Sequence, residues 1–283
     1  MVLKSVLITG CGQAGIGAAL ATEFHMRGHK VFATGISQAQ LTGLAELGMD
    51  VFELDVTSAS SIDEAVSRVS EVTGGKLDVL VNNAGVIQYL PFADTPIDDA
   101  RRVFEVNVFG AMAVTKAFLP LLIEAAKQQR GGYSVVAGIG SINADLRPAL
   151  FGAYNASKAA LECWAGTIRT ELAPLGVRVV TVKTGSVKSD LLDNAPPTRL
   201  PEGSLYMPLK EFIEGRKVLE GGHYMAPEVY AKKVVSELLR PKVKHVIWQG
   251  GLTTITWLLS CLGWEGMMDS YMIKGSHLGQ IRV

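Results

Sequence analysis

The first apolar run, Val2–Thr9, passes directly into Thr9-Gly10-Cys11-Gly12-Gln13-Ala14-Gly15-Ile16-Gly17, and a helical pattern starts at once behind it. Few local sequences restrict a fold so strongly. Gly10, Gly12 and Gly15 match G-x-G-x-x-G in the strand–turn–helix setting that the motif requires. Glycines let a pyrophosphate approach the backbone, and the helix N-terminus behind them favours its charge. Strand, glycine turn and helix in that order open a right-handed βαβ unit, which commits the chain to a parallel sheet.

The alternation continues. Strand patterns at Lys30–Thr34, Asp50–Leu54, Leu77–Asn82, Tyr133–Ile139, Val177–Val182 and Lys244–Trp248 are interleaved with helical ones. The helices are expected at Ile16–Arg27, Gln38–Leu47, Ser58–Thr73, Ile97–Gln128, Phe151–Ala173 and Ala226–Leu239, with Pro120 predicting a kink or break in the long one. The expectation is an α/β fold: one doubly wound domain of Rossmann type over residues 1–283, with about seven parallel strands and helices on both faces. The Pro/Gly-rich stretch Asn194–Pro208 marks residues 190–225 as a substrate lid. Residues 249–283 form an apolar C-terminal extension, in which Leu252–Leu262 falls far short of the roughly 20 residues a membrane span needs. It reads as a core helix or a subunit interface, ahead of peripheral attachment to lipid.

Hydrophobic residues make up 48% of the 283 and charged ones 19%, which supplies a large core and argues against disorder. Lys+Arg and Asp+Glu each total 27, and no basic stripe carries interleaved aromatics, so a nucleic-acid partner is not expected. Cys11, Cys163 and Cys261 lie too far apart for a disulfide framework or zinc site. No metal is expected. The N-terminus lacks a signal-peptide layout, and a reducing, cytoplasmic location follows. Cys163 reads as a small buried hydrophobe on its helix.

Tyr154 and Lys158, in Tyr154-Asn155-Ala156-Ser157-Lys158, stand one helical turn apart on one face. An ammonium beside a phenol favours the phenolate and lowers a pKa that is ordinarily near 10. A tyrosine tuned in this way exchanges a proton near neutral pH, as carbonyl reduction or alcohol oxidation demands.

Thr9-Gly10, Gly15-Ile16-Gly17, Asn82-Asn83-Ala84-Gly85, Asn107, Ser141, Tyr154 and Lys158 together resemble the short-chain dehydrogenase/reductase family, in its order and spacing, through about Ser189. The family's usual loop is one residue shorter between the glycines that Gly10 and Gly15 occupy. The longer form resembles the fungal-type branch around acyl-dihydroxyacetone-phosphate reductases. The resemblance implies Tyr154 as general acid or base, with Lys158 lowering its pKa and holding the nicotinamide ribose. It implies Ser141 as the hydrogen-bond partner of the substrate oxygen, and Asn107 as holder of a water that relays protons to Lys158. For the cofactor it implies Gly10, Gly12, Gln13, Gly15 and Ile16 in the pyrophosphate loop and Asp55 and Val56 at the adenine. Asn82, Ala84 and Gly85 would lie along the adenosine ribose, and Gly185, Val187 and Ser189 at the carboxamide. Thr184 replaces the proline that opens the last segment in the family, a change expected to alter loop stiffness more than chemistry.

The choice between NADP(H) and NAD(H) rests on Thr34-Gly35-Ile36-Ser37, which has neither the branch's usual arginine nor a carboxylate. NADP(H) is expected from the resemblance, its phosphate held by the hydroxyls of Thr34 and Ser37; NAD(H) is the alternative. The apolar wall expected from Tyr89, Phe92, Phe151, Leu191, Leu192, Leu205, Tyr206 and Met207 points to a hydrophobic ketone or secondary alcohol, a lipid or secondary metabolite. Arg147 and Arg199 are read as surface residues in reach of an anion. A non-redox cyclase or isomerase, or a non-catalytic cofactor-binding protein, would use the same pocket. A homodimer or homotetramer is expected through Ile97–Gln128 and Phe151–Ala173.

Overall fold

All four side chains of Ser5–Ile8, the first strand (β1), are buried, as a strand covered on both faces requires. The computed structural model describes residues 3–12, 15–128, 132–191, 194–220, 222 and 224–281. Beside β1 lie β2 (Lys30–Gly35) and β3 (Asp50–Glu53) on one side. On the other lie β4 (Val79–Asn82), β5 (Ser134–Ile139), β6 (Val177–Thr184) and β7 (Val246–Gln249). The sheet is seven-stranded, in the order β3-β2-β1-β4-β5-β6-β7, and every pair is parallel.

The helices are α1 (Ile16–Met26), α2 (Thr42–Glu46), α3 (Ala59–Thr73), α4 (Ile97–Phe104), α5 (Ala111–Gln128), α6 (Asn143–Leu146), α7 (Gly152–Leu172), α8 (Lys210–Glu214), α9 (Pro227–Leu238), α10 (Thr253–Leu262) and α11 (Asp269–Gly275). Side chains alternate across β1. Val6 and Ile8 pack with Leu20 and Phe24 of α1 and Tyr230 and Val234 of α9. Leu7 faces the opposite layer, with Val69 of α3, Phe118 of α5 and Ala165 of α7. The strand order reverses between β1 and β4, and ligands of such folds bind at that crevice, beyond the carboxyl ends of the strands.

The sheet is as expected, with strand ends shifted by a few residues. Gln38–Leu47 is divided into a 3₁₀ turn, Gln38–Leu41, and α2. The 97–128 segment is continuous through Pro120, which sits inside α5, so the expected break is absent there. The irregularity lies instead at Glu105–Gly110, a π-helical turn between α4 and α5. The whole stretch is long and apolar enough to cross a membrane by composition, but it packs as a core element against α3, α7, β4 and β5.

Two further expectations are corrected. Cys163 is exposed, because it falls on the outer face of α7. The 252–262 segment is not a core helix: Thr253 and Thr256 of α10 are buried while Ile255, Trp257, Leu258 and Leu262 are exposed. The threonines can turn inward because each hydroxyl has a backbone acceptor, Thr253 on Gly250 at 2.9 Å and Thr256 on Leu252 at 2.8 Å.

Candidate active site

At the switch point the glycine loop and the loop after β4 are locked together. Asn83 donates from Nδ2 to the carbonyls of Thr9 (2.9 Å) and Gly10 (2.8 Å). The Thr9 hydroxyl accepts from the amides of Asn83 and Ala84 at 3.1 and 3.0 Å. Gly10 has φ +71°, and a Cβ there would stand 2.7 Å from Ala84 Cα. A Cβ on Gly17 would meet Asn83 Nδ2 at 2.5 Å and Gly10 O at 2.6 Å. Both positions need glycine, for conformation at one and for close approach at both. Cys11 fills the space beneath the turn, fully buried, its Sγ on the Ile8 carbonyl at 3.4 Å. Burial pushes its thiol up to about 12, so it is a packing group and not a nucleophile.

A cavity of about 1030 Å³ runs from this loop along the carboxyl edge of the sheet. Its walls include Gly10, Gly12, Gly15 and Ile16 at one end, then Asp55, Val56, Ala84 and Gly85, and at the other end Ser141, Tyr154, Lys158, Gly185, Val187 and Ser189. The volume and the glycine-lined end fit a dinucleotide with room left for a second small molecule.

Tyr154 is 7% exposed and its hydroxyl shares a hydrogen bond with Ser141. Burial nevertheless raises the phenol to about 12. This corrects the expectation that Lys158 holds it low. The Lys158 ammonium lies 5.8 Å from the centre of the Tyr154 ring and donates to the Ile139 carbonyl at 2.8 Å. Burial lowers Lys158 itself to about 8, against the opposing charge of Glu162. The hydroxyl and the ammonium are thus both buried beside one another, where added charge acts strongly.

Asn107 stands on the π-helical turn, a local irregularity common at functional sites. Its Oδ1 accepts from the Val86 amide (2.8 Å), and its Nδ2 donates to the Val86 carbonyl and to Ser157 Oγ, both at 2.9 Å. That side chain is fully used in joining the 82–87 loop to α7. Asn155 does the same for the opposite wall, donating to the Pro148 carbonyl (2.8 Å) and accepting from Asn143 Nδ2 (3.1 Å).

The 184–189 segment is held from outside by the C-terminal extension. Ser186 and Gly251 exchange backbone hydrogen bonds at 2.9 and 3.0 Å, and Gly185 donates to the Gln249 carbonyl at 2.9 Å. A Cβ on Gly185 would fall 1.9 Å from the Gly251 oxygen. Thr184, in the family's proline position, bonds through its hydroxyl to the buried Tyr230 hydroxyl at 2.7 Å.

Several expected site residues lie elsewhere. The Thr34 hydroxyl is buried and donates to the Ile8 carbonyl at 3.0 Å, so it faces β1 and not a phosphate. Ser37 is outside the cavity wall, where Gly35, Ile36 and Gln40 are found. Asn82 turns its amide into the core, onto Thr115 Oγ1 at 2.8 Å, and Asn83 lines the cavity in its place. Gln13 and Leu192 are outside the described residues. Phe92 is 91% exposed and Leu205 65% exposed, away from the cavity, because the turns that carry them face solvent. Tyr89 is buried behind Phe151, their ring centres 4.8 Å apart. Arg147 pairs with Glu265 and Arg199 with Glu214. Val218, Leu219 and Tyr224, from the 190–225 segment expected over the substrate, complete the apolar wall together with Leu252, which sequence reading did not single out.

The fold and cavity define a nucleotide-binding α/β enzyme of the doubly wound class. The profile of the short chain dehydrogenase family matches residues 4–200. The short-chain dehydrogenase fogD of Aspergillus ruber is 39% identical over 283 residues, covering 100% of this chain and 96% of the relative. The short-chain dehydrogenase RED1 of Pyricularia oryzae is 40% identical over 262 residues, covering 90% and 88%. The crystal structure of a short-chain dehydrogenase from Streptomyces avermitilis superimposes with a TM-score of 0.77 at 27% identity, covering 99% of this chain and 97% of that one. One from Burkholderia cenocepacia, in complex with NADP, gives 0.71 at 21% identity, covering 95% and 97%, and shows the shared fold. The chain belongs to the short-chain dehydrogenase/reductase family.

Proposed function

We propose that the protein interconverts a hydrophobic ketone and its secondary alcohol with NADP(H), NAD(H) being the alternative cofactor. The convergence of Tyr154, Ser141 and Lys158, all buried, on one cavity carries this reading. The glycine cradle and the wall from Asp55 to Gly85 would hold the dinucleotide, with Gly185, Val187 and Ser189 at its nicotinamide end. A nicotinamide cofactor supplies the hydride when bound.

The chain's own residues do the rest. Tyr154 carries the proton at its hydroxyl and gives it to the carbonyl oxygen, or takes it back from the alcohol. Ser141 donates to the same oxygen as charge develops on it. Lys158, held cationic, stabilises the tyrosinate left behind. Burial of Tyr154 keeps its proton in place until another positive charge enters the pocket.

Ile142, Phe151, Leu191, Val218 and Leu219 line the substrate end and favour an apolar ketone. Residues 190–225 act as its lid. NADP(H) is supported by the lack of a carboxylate at Gly35-Ile36-Ser37, where NAD-specific sites accept from the ribose. The one-residue-longer glycine loop supports a place near the fungal acyl-dihydroxyacetone-phosphate reductases. The same reading makes the enzyme a cytoplasmic homodimer or homotetramer joined through α4–α5 and α7.

The test is consumption of NADPH and NADH with a panel of hydrophobic ketones, repeated with Tyr154→Phe. Loss of about 10²-fold or more in kcat/KM is expected. Undiminished turnover overturns the mechanism, and tight cofactor binding without turnover on any ketone favours the non-redox alternatives.

A further inference from the structure

Behind the catalytic face lies a cluster of charge that the mechanism above does not use. Lys183, near the end of β6, donates from Nζ to both carboxylate oxygens of Asp145, at 2.7 and 2.6 Å. The same ammonium pairs with Glu162 Oε2 at 2.8 Å. The Lys183, Asp145 and Glu162 side chains are only 14%, 21% and 12% exposed. Lys183 also lies 4.9 Å from the Trp248 ring.

The other oxygen of Glu162 accepts from the Ser141 amide at 3.4 Å. It rests against the chain just before that serine, since a Cβ on Gly140 would stand 2.7 Å from Oε1. Glu162 is one turn after Lys158 on α7, and Lys158 bonds to the carbonyl of Ile139. Both side chains therefore grip the same tripeptide, Ile139-Gly140-Ser141, from one helix face. Two carboxylates and one ammonium leave the cluster with one negative charge, beside the buried Lys158, whose ammonium has a neutral carbonyl as its bonded partner among the described residues.

We propose that Asp145, Lys183 and Glu162 form a positioning unit of this active site, in which Glu162 seats the Ser141 backbone and supplies the counter-charge of Lys158. The proposal rests on the function given above for its importance, and on geometry for its existence. Asp145 and Lys183 are the positioning residues for Glu162, because they fix its carboxylate between two elements. Burial pushes the Glu162 carboxyl above its ordinary range, and the Lys183 bonds pull against that rise. Burial alone would lower Lys183, but its bonds to Asp145 and Glu162 carry it above its ordinary range. Among the described residues, Glu162 is the charged group that acts on Lys158. Tyr154 lies beside it on the same helix, Asp145 and Lys183 reach it through Glu162, and Arg102 of α4 and Glu105 of the π-helical turn line the same cavity. Removing the Glu162 charge should make Lys158 lose its proton more readily. Removing the Lys183 charge should do the opposite, since the Glu162 carboxylate then faces Lys158 with no second ammonium beside it.

The experiment is an NMR titration of the full-length protein with lysine labelled at Cε, the Lys158 signal identified by its loss in Lys158→Arg. The native midpoint is expected near about 8. Glu162→Gln should lower it and Lys183→Met raise it, each by about half a unit or more, a roughly threefold change in the protonation ratio. The basic limb of kcat/KM should move the same way in each variant, a pair of opposite shifts that a merely structural role would not produce. Midpoints that stay in place, or that move in the same direction, overturn the proposal. If Glu162→Gln does not fold, Lys183→Met decides alone: an upward shift supports the unit and no upward shift overturns it. Full turnover by Tyr154→Phe would instead remove Tyr154 from the mechanism and leave the titration to judge the cluster by itself.

Discussion

Asn107 on the π-helical turn and Ser157 on α7 are joined by an Nδ2–Oγ hydrogen bond of 2.9 Å, with both residues closed off from solvent. The same asparagine holds both backbone groups of Val86. One side chain thus fastens three segments around Lys158. Asn107→Ala leaves the Val86 amide and carbonyl without their partner, and a loss of about 2–3 kcal/mol is expected. Ser157→Ala removes a single bond of Asn107 and should cost only about 1 kcal/mol. Denaturant midpoints at constant slope check both.

Lys158 makes stability depend on pH in a definite direction. Its folded pKa of about 8 lies below its ordinary 10.5. Between those values the unfolded chain keeps the proton that the folded chain has released, so the folded state gains stability as pH rises through the window. Below pH 8 the cost of the buried ammonium is present in full, on the order of 3 kcal/mol. Lys158→Met should therefore be more stable than the native protein at pH 7, with the gap closing between pH 8 and 10. Tyr154 acts with the opposite sign above pH 10, where its raised pKa of about 12 makes the folded state the tighter proton binder and stability falls. Urea melts of both proteins across this range would contradict the account if the gap stayed constant.

Gly10→Ala places a methyl 2.7 Å from Ala84 Cα at a φ of +71°. Strain of about 1–3 kcal/mol is expected, together with separation of the two loops that frame the cofactor end. Cofactor affinity should fall by about tenfold or more, read by fluorescence titration with NADPH. Gly12→Ala, whose Cβ has nothing within 4 Å, is the contrasting control for crowding.

Arg216 holds the 190–225 segment from within. It donates to the Ala195 carbonyl at 3.4 Å, to the Pro196 carbonyl at 2.5 Å and to Thr198 Oγ1 at 3.3 Å. Arg216→Ala should loosen that segment without touching Tyr154. Faster proteolytic nicking between residues 194 and 220 is expected, with KM for the ketone rising about threefold and kcat changing less. An unchanged cleavage rate would show that other contacts set the conformation of this segment.

Much of the sheet was legible because buried parallel strands are near-continuous apolar runs, as Val79-Leu80-Val81 shows. That Ser141, Tyr154 and Lys158 would share one cavity was legible for a different reason: Ser141 follows the β5 strand end by two residues, and Tyr154 and Lys158 stand one turn apart on α7. What sequence could not show was direction. Thr34 and Asn82 stand in the expected loops, but each turns its side chain into the core, and only the packed sheet decides which face a strand-end residue presents. Burial of Tyr154 likewise follows from tertiary packing and reverses an argument made from helix spacing alone. Lys183 did leave a trace, a charge inside an apolar strand, and Glu162 repeats the Lys158 spacing by one turn. Their meeting depends on β6 and α7 being brought together, which no local pattern encodes.

The contact between Gly185 and Gly251 has a consequence in time. The sheet can be laid down strand by strand as the chain leaves the ribosome, yet the 184–189 loop takes part of its backbone pairing from Gln249 and Gly251, made long after it. A nascent chain that has completed α9 already owns Tyr154, Lys158, the glycine cradle and the Met225 amide that bonds to Ser186, while the Gly251 backbone that exchanges two hydrogen bonds with Ser186 is still to come. Full pairing of this loop thus waits on the arrival of Gln249-Gly250-Gly251, more than sixty residues beyond Ser186.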